Sequence, residues 1–485
     1  MSSLLKIKSM PNKNFYITTT LAYINAEPHV GYAKEIINAD VMARYNALFG
    51  KNVFFNTGTD EHGLKIYRKA QELNIGTQQY CDDSAVKFKV LKELLGLSFN
   101  NFIRTTDEGH KAAVQEFWQR CAANGDIYKK KYSTKYCVGC ELEKTDSELV
   151  DGRCPLHPNA DLEIIDEENY FFRFSAYQDK LLKFYEEHPD FVVPNHRFNE
   201  IKNFVAAGLQ DFSISRLKEK MPWGIAVPGD EAQVIYVWFD ALVNYISCLG
   251  WPNESDDFKN FWPGIQVCGK DNLRQQTAIW QAMLMSAGVP NSKQVLVFGF
   301  LTLNGQKISK SLGNTVDPRE LVEKYGTDPV RYYLLKEVST FEDGDFSYEK
   351  MEKLYNADLA NGLGNLVART STLLEKNEIE LKLIENSDDD FSRAVFTKLD
   401  EYNFPEALKI IWEKIKQSDE FLSQTTPWKM TDKAEITTAL RPVAQNILNI
   451  AYCLQAFLPE TAGKILRQFS YAQVKKGDSL FPKII

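Results

Sequence analysis

A strand-like run that passes into a helix-like run near the start of the chain is the feature that most restricts the fold. Residues 15–21 (FYITTTL) are rich in the β-branched and aromatic residues that strands favour. Apolar residues then recur at helical spacing up to Ala47, and Gly50 follows as a helix stop. His29 and Gly31 lie at the junction, where free backbone N–H groups attract anions. The junction predicts a phosphate site, although such a pair taken alone is typical of a structural turn.

A second phosphate-handling pattern lies much later in the chain. Residues 294–303 are typical of another strand, and the Asn-Gly pair at 304–305 is the strongest short-range turn signal. Lys307 and Lys310 follow on a polar segment, before a capped helix start at Asp317. Two lysines on a flexible loop can neutralise a polyphosphate as it is transferred. In isolation the segment is more typical of a solvated basic loop than of a phosphate site.

Three cysteines and one histidine have the spacing of a zinc knuckle. Two residues separate Cys137 from Cys140, and two separate Cys154 from His157, so each pair can reach one tetrahedral ion. Four protein ligands leave no open position for water, which predicts a structural metal and not a catalytic one. Free thiols or a disulfide are the alternative. The other five cysteines are scattered and are expected to be buried, reduced thiols.

Composition and charge exclude several classes of protein. With 485 residues, of which 44% are hydrophobic and 25% charged, the chain is long enough for two or more globular domains. No segment reads as a signal peptide or a membrane span, so we expect a cytoplasmic protein with no membrane partner. The net charge of -8 means that a polyanion would have to bind local patches, such as the lysines at 129–131 and 475–476. Those patches are equally typical of solvated faces.

Several sequence blocks resemble one family of enzymes. Residues 29–32 (HVGY) are similar to the HIGH motif, and residues 307–311 (KISKS) to the KMSKS loop, of class I aminoacyl-tRNA synthetases. The blocks YITT, GTDEHG, YVWFDAL, GKD and NGQKISKSLGN resemble those of the methionyl-tRNA synthetase family in the same order, and they begin at Tyr16, Gly58, Tyr236, Gly269 and Asn304. The resemblance runs from about Phe15 to the C terminus. This shared order is far more specific than any single motif.

The resemblance implies an α/β fold with a split Rossmann-like catalytic domain, a zinc-knuckle connective insertion and a C-terminal α-helical anticodon-binding bundle. The implied boundaries are 1–123 and 222–325 for the two catalytic halves, 124–221 for the insertion with its knuckle at about 137–157, 326–350 for a connecting helical segment, and 351–485 for the bundle. The insertion looks too short for the hydrolytic domain of the isoleucine, valine and leucine enzymes. Since the chain ends soon after the bundle, we expect a monomer.

The implied activity is the ATP-dependent ligation of L-methionine to tRNA(Met). The methionine carboxylate would attack the α-phosphorus of ATP, giving methionyl-adenylate and pyrophosphate, and a ribose hydroxyl of the tRNA would then displace AMP. The expected cofactors are one structural Zn²⁺ per chain and Mg²⁺ with ATP. Such chemistry asks the protein to position and neutralise groups, so no nucleophilic side chain is expected.

Positions that match the family's motifs give the implied site residues. The catalytic set is His29, Lys307 and Lys310. The ATP-binding set is His29, Gly31, Tyr32, Gly269, Asp271, Lys307 and Lys310. The methionine-binding set is Leu21, Tyr23, Asp60, Trp238, Ala241, Tyr245, Gln276 and Trp280. Asp60 would hold the substrate ammonium, and the aromatic members suit a polarisable sulfur. The metal set is Cys137, Cys140, Cys154 and His157.

A helical segment near the C terminus resembles the family's anticodon-reading element. Asn365 and Arg369 are four residues apart and share one helix face, and Trp428 offers a ring for stacking an unpaired base. The resemblance implies that these three residues bind the anticodon of tRNA(Met). Without it, the Asn and Arg would be ordinary surface residues.

Three positions depart from the family pattern. Tyr32 stands where a second His is usual, Asn272 replaces an aliphatic residue, and Gln276 replaces a His beside the methionine sulfur. An amide can still donate a hydrogen bond to a weak sulfur acceptor. Three other functions stay open: a class I synthetase for another amino acid such as cysteine, a non-catalytic tRNA-binding relative, and a nucleotidyl transferase acting on a small acid.

Overall fold

The computed structural model describes residues 13–140, 142–144, 146–253, 255–308, 315–384 and 389–482. The strands, in chain order, are β1 (Asn14–Thr19), β2 (Ala22–Tyr23), β3 (Asn52–Asp60), β4 (Asn101–Arg104), β5 (Ile127–Cys137), β6 (Leu142–Lys144), β7 (Glu163–Phe172), β8 (Val192–Val193), β9 (Phe212–Ser213), β10 (Ser215–Leu217), β11 (Ala226–Val227), β12 (Asp230–Ile235), β13 (Ile265–Gly269), β14 (Gln294–Phe298), β15 (Leu301–Leu303), β16 (Gln306–Lys307) and β17 (Gly344–Phe346).

Helices surround the strands and make up nearly all of the last third of the chain. The α-helices are α1 (Val30–Leu48), α2 (Leu64–Glu72), α3 (Thr77–Lys89), α4 (Leu91–Leu94), α5 (Glu108–Ala123), α6 (Gln178–Glu187), α7 (Asn195–Ala206), α8 (Val237–Leu242), α9 (Asn244–Ser247), α10 (Asp256–Phe261), α11 (Trp280–Ala287), α12 (Pro318–Tyr325), α13 (Thr327–Lys336), α14 (Tyr348–Leu354), α15 (Asn365–Lys376), α16 (Asp390–Asp400), α17 (Phe404–Thr425), α18 (Lys433–Leu454) and α19 (Pro459–Phe469). Two π-helical segments cover Gln275–Ile279 and Tyr355–Gly364, and short 3-10 turns cover Asp146–Glu148, Phe174–Tyr177, Lys270–Asn272 and Pro427–Lys429.

A parallel sheet joins two widely separated stretches of the chain. Its strand order is β2-β3-β1-β13-β14-β8, with β4 also paired to β3. β1 lies beside β3 on one edge and β13 on the other, so that Ile17 is opposite both Phe55 and Ile265. The carboxyl ends of these strands therefore open onto one edge, where sheets of this kind bind ligands.

The residues between those two stretches form smaller antiparallel sheets. β5 and β7 pair from Ile127 opposite Phe172 to Tyr136 opposite Glu163, and the full order of this sheet is β6-β5-β7-β9. A second antiparallel sheet has the order β10-β12-β11. A third small sheet, β16-β15-β17, carries the turn at residues 304–305.

The strand predicted over residues 294–303 is broken in the structure. β14 ends at Phe298 and β15 begins at Leu301, because Gly299 and Phe300 leave the sheet between them. A Cβ at Gly299 would lie 2.1 Å from the carbonyl oxygen of Glu342, so the chain passes too close to another backbone segment for any side chain. A continuous apolar run gave no sign of this close approach.

The predicted fold class is confirmed: the chain is α/β, with a parallel sheet followed by a C-terminal helical region. One apolar core is continuous across both, since Ile17 of β1 and Leu440 of α18 belong to the same buried cluster. The proposed domain boundaries stay a prediction. Within the described ranges, no helix has the length and apolar character needed to cross a membrane.

Candidate active site

The junction between β1 and α1 has the geometry of an anion site. His29 is the N-cap of α1, and its Nδ1 accepts a hydrogen bond from the backbone N–H of Gly31 at 3.1 Å. A Cβ at Gly31 would lie 3.0 Å from the His29 ring, so a larger residue at this position would crowd the imidazole. The first turn of this helix presents backbone N–H groups and the positive end of the helix dipole. Both residues line one cavity of about 450 Å³.

The segment that carries the second motif meets this junction. The backbone N–H of Val30 donates to the carbonyl oxygen of Val316 at 2.9 Å. Ile308 is 6% exposed and lines the same cavity as His29. Of Lys307 the structure describes the backbone, which pairs with Thr302, and Lys310 lies outside the described residues. Ile308 and Val316, the described residues on either side of the undescribed stretch, therefore both lie at the His29 junction, and the places of the Lys307 side chain and of Lys310 stay a prediction.

Tyr32 points its hydroxyl at the sheet. Its oxygen lies 3.1 Å from Oγ1 of Thr57, and burial raises the pKa of the phenol. The family pattern has a second imidazole at this position. Here the cavity is bordered by the neutral hydroxyl of Tyr32, which cannot carry positive charge. His29 is left as the imidazole of the motif.

Most of the residues expected to bind methionine line the cavity. Those that do are Leu21, Tyr23, Asp60, Trp238, Ala241, Tyr245 and Gln276. Gln276 is fully buried, donates its side-chain N–H to the Tyr245 hydroxyl and accepts from Nε2 of Gln266 at 3.3 Å. Among the departures, Asn272 also faces this space.

The structure places Trp280 behind the wall of the cavity. Its ring is fully buried, stacks on Phe117 at 5.5 Å between centroids and meets Tyr245 edge-on at 6.0 Å. Trp280 therefore supports Tyr245 and does not border the space that the substrate would occupy. Sequence similarity alone could not separate a wall residue from one directly behind it.

Gly269 and Asp271, at the end of β13, line the same cavity as His29. A Cβ at Gly269 would lie 2.8 Å from a carboxylate oxygen of Asp271. The strand thus ends in a position that only glycine can occupy while Asp271 keeps its side-chain orientation. Asp60 ends β3, lines the same cavity and is 9% exposed.

Two charged residues on α1 were missed by the sequence analysis. Glu35 lines the cavity one helical turn after Gly31, and burial together with the nearby Asp271 raises its pKa to about 8. Burial also lowers the pKa of Lys34 to about 8, and its Nζ donates to the carbonyl oxygen of Gly299 at 3.3 Å. The sequence could have predicted the place of Glu35, because it lies four residues after Gly31 and residues four apart share a helix face.

A buried cluster behind the cavity was also missed. Asp240 is fully buried and accepts hydrogen bonds from Nδ1 of His62 at 2.6 Å and Nε2 of His110 at 2.8 Å. Burial alone would raise the pKa of Asp240, but the two histidines hold it below its usual value. Asp240 lies on α8 beside Trp238, and His62 is two residues from Asp60, so the cluster fixes one cavity wall against another.

The four predicted metal ligands come together. Their ligand atoms all lie within 4.8 Å of one another, and Sγ of Cys140 lies 3.4 Å from Sγ of Cys154 and 3.2 Å from Nδ1 of His157. A Cβ at Gly139 would lie 2.4 Å from the His157 ring, so the tight turn needs glycine. Three sulfurs and one imidazole nitrogen at such separations fit a tetrahedral zinc site.

The knuckle touches the cavity directly. Cys140 is part of the cavity lining, and Nζ of Lys65 donates to the carbonyl oxygen of Gly139 at 2.6 Å. The same ammonium lies 5.5 Å from the centroid of the Tyr23 ring. A metal in the knuckle would therefore stabilise one rim of the cavity as well as its own loop.

Two of the three residues expected to read the anticodon lie side by side. The guanidinium of Arg369 lies 5.2 Å from the centroid of the Trp428 ring and pairs with Asp419 at 2.5 Å. Trp428 is 45% exposed, and Asn365 is exposed at the first residue of α15. These helices form a surface separate from the cavity lining.

Comparison with known proteins identifies a single family. The family model described as "tRNA synthetases class I (M)" matches residues 15–161 and 158–371. A protein of Caldanaerobacter subterraneus named methionine–tRNA ligase is 41% identical over 97% of this chain and 79% of its own, and one of Nostoc is 41% identical over 96% and 92%. The Mycobacterium tuberculosis methionyl-tRNA synthetase in complex with methionyl-adenylate superposes with a TM-score of 0.90 at 37% identity, covering 97% of this chain and 99% of that one.

Proposed function

Because this chain belongs to the class I tRNA synthetases, and among them to the methionine–tRNA ligase family, we propose that it activates L-methionine with ATP in the cavity between its two motif segments. The enzyme is a methionine–tRNA ligase that forms methionyl-tRNA through methionyl-adenylate. The observation that supports the assignment of the site is the contact of the His29 junction with Val316, together with the place of Ile308 in the lining of the same cavity.

The chemistry is a pair of displacements at phosphorus and carbon. A methionine carboxylate oxygen attacks the α-phosphorus, and pyrophosphate leaves with the electrons of the broken phosphorus–oxygen bond. A terminal ribose hydroxyl of tRNA(Met) then attacks the carbonyl carbon, AMP leaves with the electrons of the broken carbon–oxygen bond, and the hydroxyl proton is released to water. Neither step forms a bond to the protein, so catalysis depends on position and charge.

The residues around the phosphates have distinct parts in this scheme. His29 and the N–H groups of the first turn of α1 would hold the triphosphate, while Lys307 and Lys310 would neutralise the charge that develops on the leaving pyrophosphate. Gly269 and Asp271 would bind the adenosine part of ATP, from the end of β13. Mg²⁺ is expected with ATP, where it would reduce the charge on the phosphates.

The amino-acid part of the cavity favours a thioether side chain. Tyr23, Trp238 and Tyr245 border it, and sulfur packs favourably against ring edges. Gln276, held by Tyr245, can present an amide N–H to sulfur if that bond is exchanged. The ammonium group would pair with Asp60. A cysteine side chain is shorter and would leave much of this aromatic space unfilled.

The proposal includes a structural zinc, a tRNA surface and a single subunit. Cys137, Cys140, Cys154 and His157 would hold Zn²⁺, which would fix the rim that Lys65 joins to Tyr23. Asn365, Arg369 and Trp428 would bind the anticodon of tRNA(Met). We propose that the enzyme works as a monomer, in the cytoplasm, where reducing conditions preserve thiolate ligands.

Amino-acid-dependent exchange of pyrophosphate into ATP tests the function. Of all twenty amino acids, methionine alone should drive rapid exchange, and Lys310→Ala should reduce it strongly. The matched control is Lys475→Ala, which removes a lysine outside the cavity lining. Exchange driven by cysteine would assign a different substrate, and the absence of exchange with any amino acid would point to a tRNA-binding protein without catalysis.

A further inference from the structure

The KISKS segment begins on a short β-hairpin that forms part of the cavity wall. The hairpin consists of β15, the turn at residues 304–305 and β16, and Thr302 lies opposite Lys307 across it. Leu301 at its start and Ile308 just after its end both line the cavity proposed for adenylation. The backbone of Lys307 is therefore held only as firmly as the hairpin itself.

A third strand, β17, supports this hairpin from outside the cavity lining. It runs parallel to β15, with Thr302 opposite Asp345 and Leu303 opposite Phe346. The Phe346 ring is 1% exposed and meets the buried ring of Tyr333 on α13 edge-on, at 5.3 Å between centroids. Because the apolar core holds β17 in this way, the strand can serve as a rigid base for β15.

Asp345 joins this base to the turn of the hairpin. Its Oδ1 accepts hydrogen bonds from Oγ1 of Thr302 at 2.7 Å and from the backbone N–H of Gly305 at 2.9 Å. Asn304 and Gly305 have φ values of 55° and 73°, as in the two-residue turns of tight hairpins. The two bonds hold the pKa of the Asp345 carboxyl below its ordinary value, with the Gly305 N–H as the main cause. A charged acceptor bonds more strongly than a neutral one, so the carboxylate ties the turn to β17.

We propose that Asp345 is a positioning residue for adenylation, because it holds the turn from which Lys307 is presented to the leaving pyrophosphate. The inference rests on the proposed function, in which Lys307 neutralises the charge that develops on that group. Asp345 does not line the cavity, so its effect on the reaction passes through the hairpin. A hairpin that frays at its turn leaves the contacts to methionine in place. It spreads the Lys307 ammonium over more positions, however, and so weakens the interaction of this group with the transition state.

The test compares Asp345→Ala with Asp345→Asn in methionine-dependent pyrophosphate exchange. The alanine variant should lower kcat about tenfold, the rate equivalent of one hydrogen bond to a charged group, and leave the KM for methionine within about twofold of wild type. Asp345→Asn keeps an oxygen that can accept from Gly305, so it should recover most of the rate. A second measurement needs no turnover. Trypsin should cleave after Lys307 several times faster in Asp345→Ala than in the wild type, because fraying exposes that peptide bond to the protease.

Asp211→Ala is the matched control, because Oδ1 of Asp211 also accepts from one backbone N–H and one hydroxyl, both of Ser175, at 3.0 Å and 2.6 Å. Asp211 lies outside the cavity lining, so this variant should change neither kcat nor the cleavage after Lys307. An unchanged kcat in Asp345→Ala, or a fall in kcat that comes with an equal rise in the KM for methionine, would overturn the proposal. If the wild type showed no exchange, the proposed function would fail, whereas the rate of cleavage would still decide whether Asp345 holds the hairpin.

Discussion

Arg331 and Asp40 form a fully buried ion pair, 2.7 Å from nitrogen to oxygen, that joins the helix bearing the phosphate junction to the C-terminal helical region. Asp40 lies on α1, nearly three turns after Val30. Arg331 on α13 also donates to the carbonyl oxygens of Phe457 at 2.8 Å and Leu95 at 3.1 Å. A single guanidinium therefore bonds three separate segments around the base of the active-site helix.

Removing only one partner of this ion pair should lower the free energy of unfolding substantially. Arg331→Leu leaves the Asp40 carboxylate in a buried site with Arg44 as its remaining ionic partner, and loss of one member of a buried pair typically costs about 3–5 kcal/mol. The double variant Asp40→Leu with Arg331→Leu should regain part of that loss, because the charge that then lacks its partner, that of Arg44, is 24% exposed and not fully buried. Urea unfolding of the single and double variants measures the difference. A double variant less stable than the sum of the single losses would contradict this account.

The same pair predicts a direction for acid sensitivity. Burial alone would raise the pKa of Asp40, but Arg331 and Arg44 hold it below its ordinary value of 3.8. A carboxyl group with a lowered pKa adds stability above its unfolded pKa, and this stability is lost as the pH falls through the folded pKa. The unfolding temperature of the wild type should therefore fall more steeply below about pH 4 than that of the double variant. Parallel curves would contradict the assignment.

Glu35 predicts a dependence of opposite sign. Its pKa is raised from 4.5 to about 8 in the ligand-free protein, so its contribution to stability is present at low pH and is lost as the pH rises towards 8. Glu35→Gln removes the ionisation and should stabilise the protein at pH 9 by on the order of 2 kcal/mol relative to its effect at pH 5. Glu108→Gln, at a side chain that is 91% exposed, is the control. An equal effect of Glu35→Gln at both pH values would show that the carboxyl titrates normally.

The local parts of this molecule could be predicted from sequence, because their signals lie within a few residues of one another. The junction at His29 and Gly31 follows from strand composition and helical spacing, and the knuckle follows from the short gaps around Cys140 and His157. In each case the chain itself brings the side chains together. The placement of Asn365 on a helix follows for the same reason.

Features that depend on residues far apart in the chain could not be predicted. Asp240 becomes the centre of a buried cluster only because β3 and α5 bring His62 and His110 to it. Trp280 could be matched to a family position, but its place behind Tyr245 depends on how α11 packs. The break at Gly299 results from the approach of a segment more than 40 residues later, at Glu342, which no local pattern records.

The buried cluster predicts a positioning role for Asp240. Asp240→Asn replaces a carboxylate that accepts from His62 and His110 with an amide that can accept from only one of them, so one buried N–H loses its partner. Since α8 carries Trp238 and Ala241, we expect the KM for methionine in pyrophosphate exchange to rise about tenfold, as a loss of one buried hydrogen bond would give, with a smaller change in kcat.

The control for this experiment is Asp179→Asn, at an exposed position on α6 outside the cavity lining. It should leave both constants unchanged. If Asp240→Asn lowered stability but left the methionine KM at its wild-type value, the cluster would be a packing feature with no effect on the site.

The knuckle predicts one zinc ion per chain in the purified enzyme. Cys140→Ser should lose the metal and lower the unfolding temperature, because a structural zinc site contributes folding free energy directly. A strong chelator should destabilise the wild type but not the variant. Cys248→Ser, at a cysteine outside the cluster, is the control for thiol loss and should keep its zinc. Elemental analysis that finds no zinc in the wild type would exclude the site.

Substitution of Trp428 should slow the charging of tRNA(Met) without slowing the activation of methionine. Its exposed ring lies against the Arg369 guanidinium on a surface apart from the cavity, so Trp428→Ala removes a stacking surface without touching the adenylation site. The kcat/KM for charging tRNA(Met) should fall about tenfold, the size expected for one lost base stack, while pyrophosphate exchange stays within twofold. Tyr471→Ala, which removes another exposed ring, should change neither. Equal losses in both assays after Trp428→Ala would mean that the ring maintains the fold of the helical region, because an anticodon contact cannot slow a step in which tRNA takes no part.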